Sequence, residues 1–391
     1  MGNFNFRKCK IPTTWRLGTL GEISTSFSNQ RVPLKSADRK LRQGQYRYFG
    51  AQGVIDHIDD YIFDGKYLLV AEDGENVKSR KYDIAFVVEG KFWVNNHAHV
   101  LQGNAFGDTD YLRYVLNFVS IKEYVTGQAQ PKLNKAQLEK IVITIPPLDE
   151  QQKIAEILST VDKKIDLIDQ KIAETEKLKT GLMQKLFSEG VGVQGENGEW
   201  QPHTEFSSDL LPSSWEVGEV IDFLELQRGH DLPVQKRMGG SVPIIGSNGI
   251  AGYHSQAVVE ESGVITGRSG TLGKVYFSEG SFWPLNTSLY IRDFKGNNKK
   301  YCFYFLEHFN LKRFGTGTGV PTLNRNIVHK QKTAFPSLIE QEKIAEILDT
   351  VSQKKQILEQ QKAETQQLKK GLMQKLLTGE WRVPVEETEA A

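Results

Sequence analysis

The chain has 391 residues, 39% of them hydrophobic and 25% charged, an ordinary globular composition in a chain too long for one core of usual size. No apolar run approaches the roughly 20 residues of a membrane span, MGNFNFRKCK lacks the apolar stretch of a signal peptide, and Cys9 and Cys302 by themselves build neither a disulfide framework nor a zinc site. A membrane span and a disulfide-stapled secreted domain are thereby excluded, and a reducing, cytoplasmic setting is expected.

Residues 1–147 read as a first globule. It opens on IPTTWRLGTL (11–20), followed by β-rich runs such as YLLVAE and DIAFVVE, bounded by glycine or charged turns. YLRYVLNFVSIKEYV (111–125) carries helical spacing instead. From 148 to 190 the pattern is that of one long helix. Ile154, Leu158, Val161, Ile165, Ile168 and Ile172 follow a heptad seam, and Leu178, Leu182 and Leu186 resume it after a slip of phase. Ala, Glu, Gln and Lys fill the other positions and proline is absent, so about 38 residues would reach roughly 57 Å. Residues 191–211, entered through GVGVQGENGEW (190–200), read as a linker. A second globule spans 212–337, beginning LPSSWEVGEV, with strand-like GVITG, KVYF and SLYIRD and a helical YCFYFLEHFNLKRF (301–314). A second long helix covers 338–380, its stripe of Ile344, Leu348, Val351 and Leu358 interrupted by Lys355 and Lys362, and a tail runs over 381–391.

The two halves are copies. EQQKIAEILSTVDKKIDLIDQKIAETEKLKTGLMQKLF (150–187) aligns without a gap on EQEKIAEILDTVSQKKQILEQQKAETQQLKKGLMQKLL (340–377), more than half of the positions being identical. YFGAQGVID (48–56) echoes IIGSNGIAG (244–252), EGKFWVNNHAHVL (89–101) echoes EGSFWPLNTSLYI (279–291), and GQAQPKLNKAQL (127–138) echoes GTGVPTLNRNIV (317–328). The class is α+β, twice. A seam of this kind needs cover, either from another copy of the chain or from the second seam of the same chain. We favour the second. Two equivalent helices, each following an equivalent globule, are then related by an approximate twofold axis and run antiparallel. Basic charge collects in the globules, with 20 Lys and Arg against 15 Asp and Glu over 1–145 and 14 against 10 over 212–335, although the whole chain is only +1. That excess suits a polyanionic partner.

Taken in this order, IPTTW and LPSSW, IPPLDEQQKIAEIL and FPSLIEQEKIAEIL, and GLMQKLF and GLMQKLL resemble the specificity subunit of type I restriction–modification enzymes over essentially the whole length. The resemblance implies two target-recognition domains related by a pseudo-twofold axis and separated by two long antiparallel coiled-coil helices. Each domain would read one half of a gapped, bipartite site in double-stranded DNA. The helices would set the spacing and dock two methyltransferase subunits, which modify adenine with S-adenosylmethionine; restriction subunits, with ATP and magnesium, could join. No cofactor is expected on this chain. The rival reading is a coiled-coil scaffold whose two globules bind protein or carbohydrate.

Bases are told apart in the major groove by Arg or Lys on guanine, Asn or Gln on adenine, and Asp or Glu on cytosine. Glycine-rich loops carrying such residues are the candidate readers. In the first half these are Gln52 in GAQG, Glu72, Asp73 and Asn76 in AEDGEN, and Asn96 and His97 in NNHAH. In the second they are Ser247 and Asn248 in GSNG, Arg268, Ser269, Thr271 and Lys274 in GRSGTLGK, and Asn286 in LNTSL. Gln128, Gln130, Lys132, Thr318, Thr322 and Arg325 lie in the turn before the last strand of each half, where phosphate or base contact is open to them. Glu72 and Asp73 are either cytosine readers or surface turned away from DNA, since an acidic loop facing phosphate is costly. Arg268 occupies the place of Glu72, so the two halves should read different bases.

Catalytic motifs are not recognised. GRSGTLGKV lacks the first glycine of a phosphate loop and has Val275 where Ser or Thr would hold magnesium. GTGTGVP has no acidic ribose partner in a βαβ unit, and IPPL lacks the Asn and aromatic residue of an adenine methyltransferase motif. His97 and His99 alternate onto one strand face without a third ligand, so a polar strand face is favoured over a metal site. Trp15, Trp93, Trp215 and Trp283 are assigned to structure.

Overall fold

The computed structural model describes residues 4–8, 10–208, 210–317, 319 and 321–384. The chain divides into two units, of which the first is built from two separate stretches and the second from one. One holds the residues up to Asp169 together with those from Gln360 onward, and the other holds Gln170–Glu359. Each unit therefore takes a globule, the first part of the helix that follows it, and the last part of the other long helix.

In the first unit the strands are β1 (Arg16–Thr19), β2 (Ser24–Ser26), β3 (Gln43–Gly50), β4 (Gly53–Ile58), β5 (Phe63–Ala71), β6 (Ala85–Val94), β7 (Ala98–Gly103) and β8 (Val142–Ile145). They are accompanied by helices α1 (Ser36–Leu41), α2 (Glu75–Ser79), α3 (Thr109–Phe118) and α4 (Lys135–Glu139). Six strands form one sheet in the order β2-β7-β5-β6-β3-β4, and β1 pairs separately with β8. Alternation along β5 decides the layers. Leu68 and Val70 enter a core with Tyr111, Leu112 and Val115 of α3, while Leu69 points the other way, to Phe49, Phe63, Phe92 and Val100. The α3 start is fixed by Asp108, which accepts from the Tyr111 amide at 2.8 Å, as an N-cap should.

The long helix α5 runs Leu148–Leu186. Its first turns belong to the core of the first unit through Ile154, Ala155 and Leu158, joined there by Met373, Leu376 and Leu377 from the last turns of the second long helix. In the same unit Asp162 pairs with Lys369 (2.6 Å) and Asp169 with Lys362 (2.5 Å), so seven residues forward on one helix answer seven back on the other. That is antiparallel packing at one-heptad steps. Asp162 also accepts from Arg113 and from the Tyr114 hydroxyl, both at 2.8 Å, which fastens α3 to the helix pair.

The second unit repeats this plan with β9 (Val193–Gln194), β10 (Trp200–Gln201), β11 (Glu216–Glu219), α6 (Val220–Phe223), β12 (Glu225–Arg228), β13 (Val242–Gly246), β14 (Gly249–His254), β15 (Gly263–Gly267), β16 (Val275–Ser278), β17 (Trp283–Pro284) and β18 (Ser288–Asp293). It closes with α7 (Lys299–His308), β19 (Gly315–Thr316), β20 (Thr322–Leu323), α8 (Arg325–His329), β21 (Lys332–Phe335) and α9 (Leu338–Thr378). Its sheet is split into β12-β18-β15-β16 and β14-β13-β17, and β11 pairs with β21 as β1 does with β8. Within this unit Lys355 pairs with Glu176 at 2.7 Å. The lysines that interrupt the second stripe are thus ion-pair donors to the facing helix.

The segment 191–211, expected as a linker, is held to the fold at several of its described residues. Val191 and Gly192 donate to Glu340 at 2.8 and 3.0 Å, and His203 meets the same carboxylate at 3.0 Å. The described part of the tail, 381–384, does the same in the first unit, where Arg382 pairs with Glu150 and Val383 is buried. Trp15 and Trp215 close both arrangements, donating to Glu150 (2.8 Å) and Glu340 (3.1 Å).

Candidate nucleic-acid interface

Backbone pairing gathers the candidate loops of the first unit at one end of its sheet. The Glu72 amide donates to the His97 carbonyl at 2.9 Å, the Leu133 amide donates to the Glu72 carbonyl at 2.7 Å, and Thr126 and Lys132 exchange two 2.8 Å bonds that close the 126–132 loop. The Asn95 amide donates to Phe49 at 3.0 Å, which brings the β3–β4 turn carrying Gln52 to the same end. Gln52, Asn96, His97, Gln128, Gln130 and Lys132 are exposed there, and Asp73 is half-buried.

Two candidates are not free to read a base. The Glu72 side chain is only 10% exposed and serves as a hub: it meets Arg31 at 2.7 Å, Lys132 at 3.1 Å and His99 at 3.7 Å. Burial would raise its pKa, but the bond from Arg31, the field of His99 and the bond from Lys132 outweigh burial and hold it below the usual range. Glu72 is therefore neither a bare acceptor nor a bare repulsive charge. Asn76 is buried, with its amide bonded to Tyr82 and Asp83 backbone groups at 2.9 to 3.5 Å. The two histidines differ from the expected shared strand face. His97 stands in the turn before β7, its Nδ1 at 2.8 Å from Asp73, whereas His99 lies inside β7 and is buried, its Nε2 at 2.7 Å from the Leu133 carbonyl. Among the described residues no group of three His, Cys, Asp or Glu side chains is placed to hold a metal.

The second unit sets the same backbone scaffold with different side chains. The Arg268 amide donates to Thr287 at 2.9 Å and its carbonyl accepts from Leu323 at 2.8 Å, repeating the bonds of Glu72 to His97 and Leu133. Ser269 bridges to Thr322 as Asp73 does to Lys132. The positional equivalence of Glu72 and Arg268 thus holds in the backbone, and the charge at that position is reversed. The turn after Arg268 needs glycine nearby, because a Cβ on Gly267 would stand 1.9 Å from the Thr271 carbonyl oxygen. Asn248 and Lys274 are exposed, Thr271 and Thr322 half-buried, and Ser247 nearly buried in the β13–β14 turn. Asn286 is engaged by Asp231, and its carbonyl accepts from Arg268 Nη1 at 3.2 Å. Arg325 donates to the Gln227 side chain and, at 3.2 Å, to the Leu226 carbonyl. Thr318 lies outside the described residues.

Gln227, Arg228, Arg268, Thr316, Thr322 and Arg325, with Leu289, Leu323, Asn324 and Asn326, line an open groove of about 430 Å³. Sequence reasoning passed over Arg228, which ends an otherwise unremarkable strand, and Arg31, which lies 41 residues from its partner Glu72. No local pattern marks either one.

The family model described as "Type I restriction modification DNA specificity domain" matches residues 12–177 and again 212–367. The chain is similar to a putative type I restriction enzyme specificity subunit from Haemophilus influenzae, at 28% identity over 84% of this chain and 86% of that one. It is also similar to the MjaVIII specificity subunit of Methanocaldococcus jannaschii, at 23% identity over 96% of this chain and 94% of the relative. Among solved structures, the S subunit of a type I system from M. genitalium superposes with a TM-score of 0.68 at 16% identity, covering 94% of this chain and 96% of that one.

Proposed function

Since the chain belongs to the type I restriction–modification DNA specificity family, we propose that its two lobes read the two different halves of a gapped site in double-stranded DNA. The observation that carries this is the charge reversal on a shared scaffold. One backbone position holds a neutralised Glu72 in the first lobe and an Arg268 free of any carboxylate in its groove in the second. A site with two identical halves would have no use for such a difference. Arg268 is suited to guanine N7 and O6, while Gln52, Asn96, Gln128 and Gln130 of the first lobe are suited to adenine.

The chain acts in the cytoplasm as a recognition subunit without a catalytic centre of its own. Its helices set the gap and dock two methyltransferase subunits, which carry S-adenosylmethionine; restriction subunits, with ATP and magnesium, join where a host supplies them. Support for docking comes from the duplication itself, since two like helices offer one kind of partner two like surfaces.

Arg268→Ala tests the reading. Band shifts against duplexes randomised in either half-site should show preference relaxed in one half-site only, at a cost of about 1–3 kcal/mol for the favoured base. An equal loss on every sequence would make Arg268 a phosphate contact. Labelled methyl transfer to DNA by the purified chain alone would contradict the non-catalytic role.

A further inference from the structure

The groove on the second lobe holds more positive charge than base reading needs. Arg228, Arg268 and Arg325 converge on it, and among the described residues lining it there is no Asp or Glu. Carboxylates of the same neighbourhood are occupied elsewhere: Glu225, on the strand that ends in Arg228, lies 3.8 Å from Arg292, and Asp231 is held by Asn286. Three guanidinium groups sharing one groove repel one another, and a base edge, which carries no net charge, leaves that repulsion in place. An anion removes it.

The anchoring of the arginines points the same way. Arg325 has its Nη1 on the Gln227 side chain and the Leu226 carbonyl, and Arg268 has its Nη1 on the Asn286 carbonyl. Each keeps further N–H groups for a ligand, and Arg228 is exposed at the end of β12. Thr316, Thr322, Asn324 and Asn326 add neutral donors around them.

We propose that this groove is a phosphate clamp, in which Arg228 and Arg325 grip the sugar–phosphate backbone of duplex DNA beside the base met by Arg268. The clamp rests on the reading of the chain as a DNA-specificity subunit and adds an asymmetry to it. The first lobe has no counterpart. The pairings of Ser26 with Leu101 and of Leu226 with Ile291 put Ser28 in the place of Arg228, and the Ser28 hydroxyl is engaged by the Val100 amide at 3.1 Å. Glu72 stands for Arg268, and Lys135, which stands for Arg325, pairs with Glu139 at 3.7 Å. The second lobe then supplies more of the salt-dependent hold on DNA than the first.

The test is the salt slope of binding, measured with the full-length chain on a duplex carrying its recognition sequence and on duplexes altered in either half-site. Each lost phosphate contact lowers the slope of log K against log salt by about 0.9. Arg228→Gln and Arg325→Gln should each lower it by about that amount between roughly 50 and 200 mM salt. They should weaken binding by the same factor on every duplex, whereas Arg228→Lys should retain the slope. Lys135→Gln in the first lobe should leave the slope nearly unchanged. Arg228 takes part in the fold through its backbone pairing with Leu289, and its side chain makes no hydrogen bond or ion pair among the described residues, so its variant tests the clamp even if Arg325→Gln folds poorly. An unchanged slope for Arg228→Gln, or a loss confined to duplexes with an intact second half-site, overturns the clamp while the specificity reading stands. A wild-type chain with no sequence preference, whose slope still falls in the variants, overturns the specificity reading and leaves the clamp.

Discussion

Glu72 sits between Arg31, Lys132 and His99 at the end of the first unit's sheet. As a letter in AEDGEN it is an acid in a loop meant for DNA; in the fold it is the acceptor that draws Arg31, Lys132 and His99 together. Replacing Arg31 with Met leaves a mostly buried carboxylate with Lys132 and His99 but without its shortest ion pair, and the urea midpoint of the first unit should fall by the equivalent of about 3 kcal/mol. The hub also predicts a pH dependence with a definite sign. A carboxyl whose pKa is held down in the folded state stabilises the fold above its unfolded value and loses that contribution as pH falls through the folded one. With Glu72 held below its ordinary 4.5, the stability it contributes should drain away as the solution is acidified below about that value. Glu72→Gln should lower stability at neutral pH and flatten this part of the profile in urea melts. Equal acid sensitivity in the variant would show that Glu72 does not carry it. Aligning the two halves was enough to match Glu72 with Arg268, because the repeat preserves the backbone. Pairing Glu72 with Arg31 was beyond a linear reading, because 41 residues separate them and only the fold of β2, β5 and β7 brings them together.

The long helices were readable from their heptads, as was the intramolecular, antiparallel way in which each covers the other. What the stripe alone conceals is the use of polar residues along it. Lys355 and Lys362 look like defects in an apolar seam and turn out to face Glu176 and Asp169. Such pairs are half-exposed and contribute little stability; they set register instead. Asp162 is different, since it is largely buried and takes bonds from Tyr114, Arg113 and Lys369. Asp162→Ala should cost about 2–3 kcal/mol in the first unit, well above the effect of Lys362→Ala, as read by thermal or urea unfolding. The segments after each helix, expected as a linker and a tail, carry contacts that hold them to the fold. Their few anchoring side chains bind acids whose burial a sequence does not display. Cutting the chain after Thr378 removes Arg382 and Val383 and uncovers Glu150, so the first unit should unfold at a lower temperature while the second, whose Glu340 is held by its own residues, should not.

A duplicated chain in which the helices stay alike while the globules diverge is built for reading two different things at one set separation. Where the loops meet, the two lobes carry different chemistry: exposed amides and a neutralised acid in one, arginines in the other. Lengthening both helices by the same heptad, a rise of about 10.5 Å, should leave both half-sites unchanged and widen the gap by about three base pairs. An unchanged gap would take the spacing role away from the helices. The most direct measurement is a map of methylated adenines in a host that expresses this chain with its methyltransferase subunits. The expected result is a single bipartite motif with two dissimilar halves around a gap of fixed length. An uninterrupted motif, two identical halves, or no methylation that depends on this chain would contradict it.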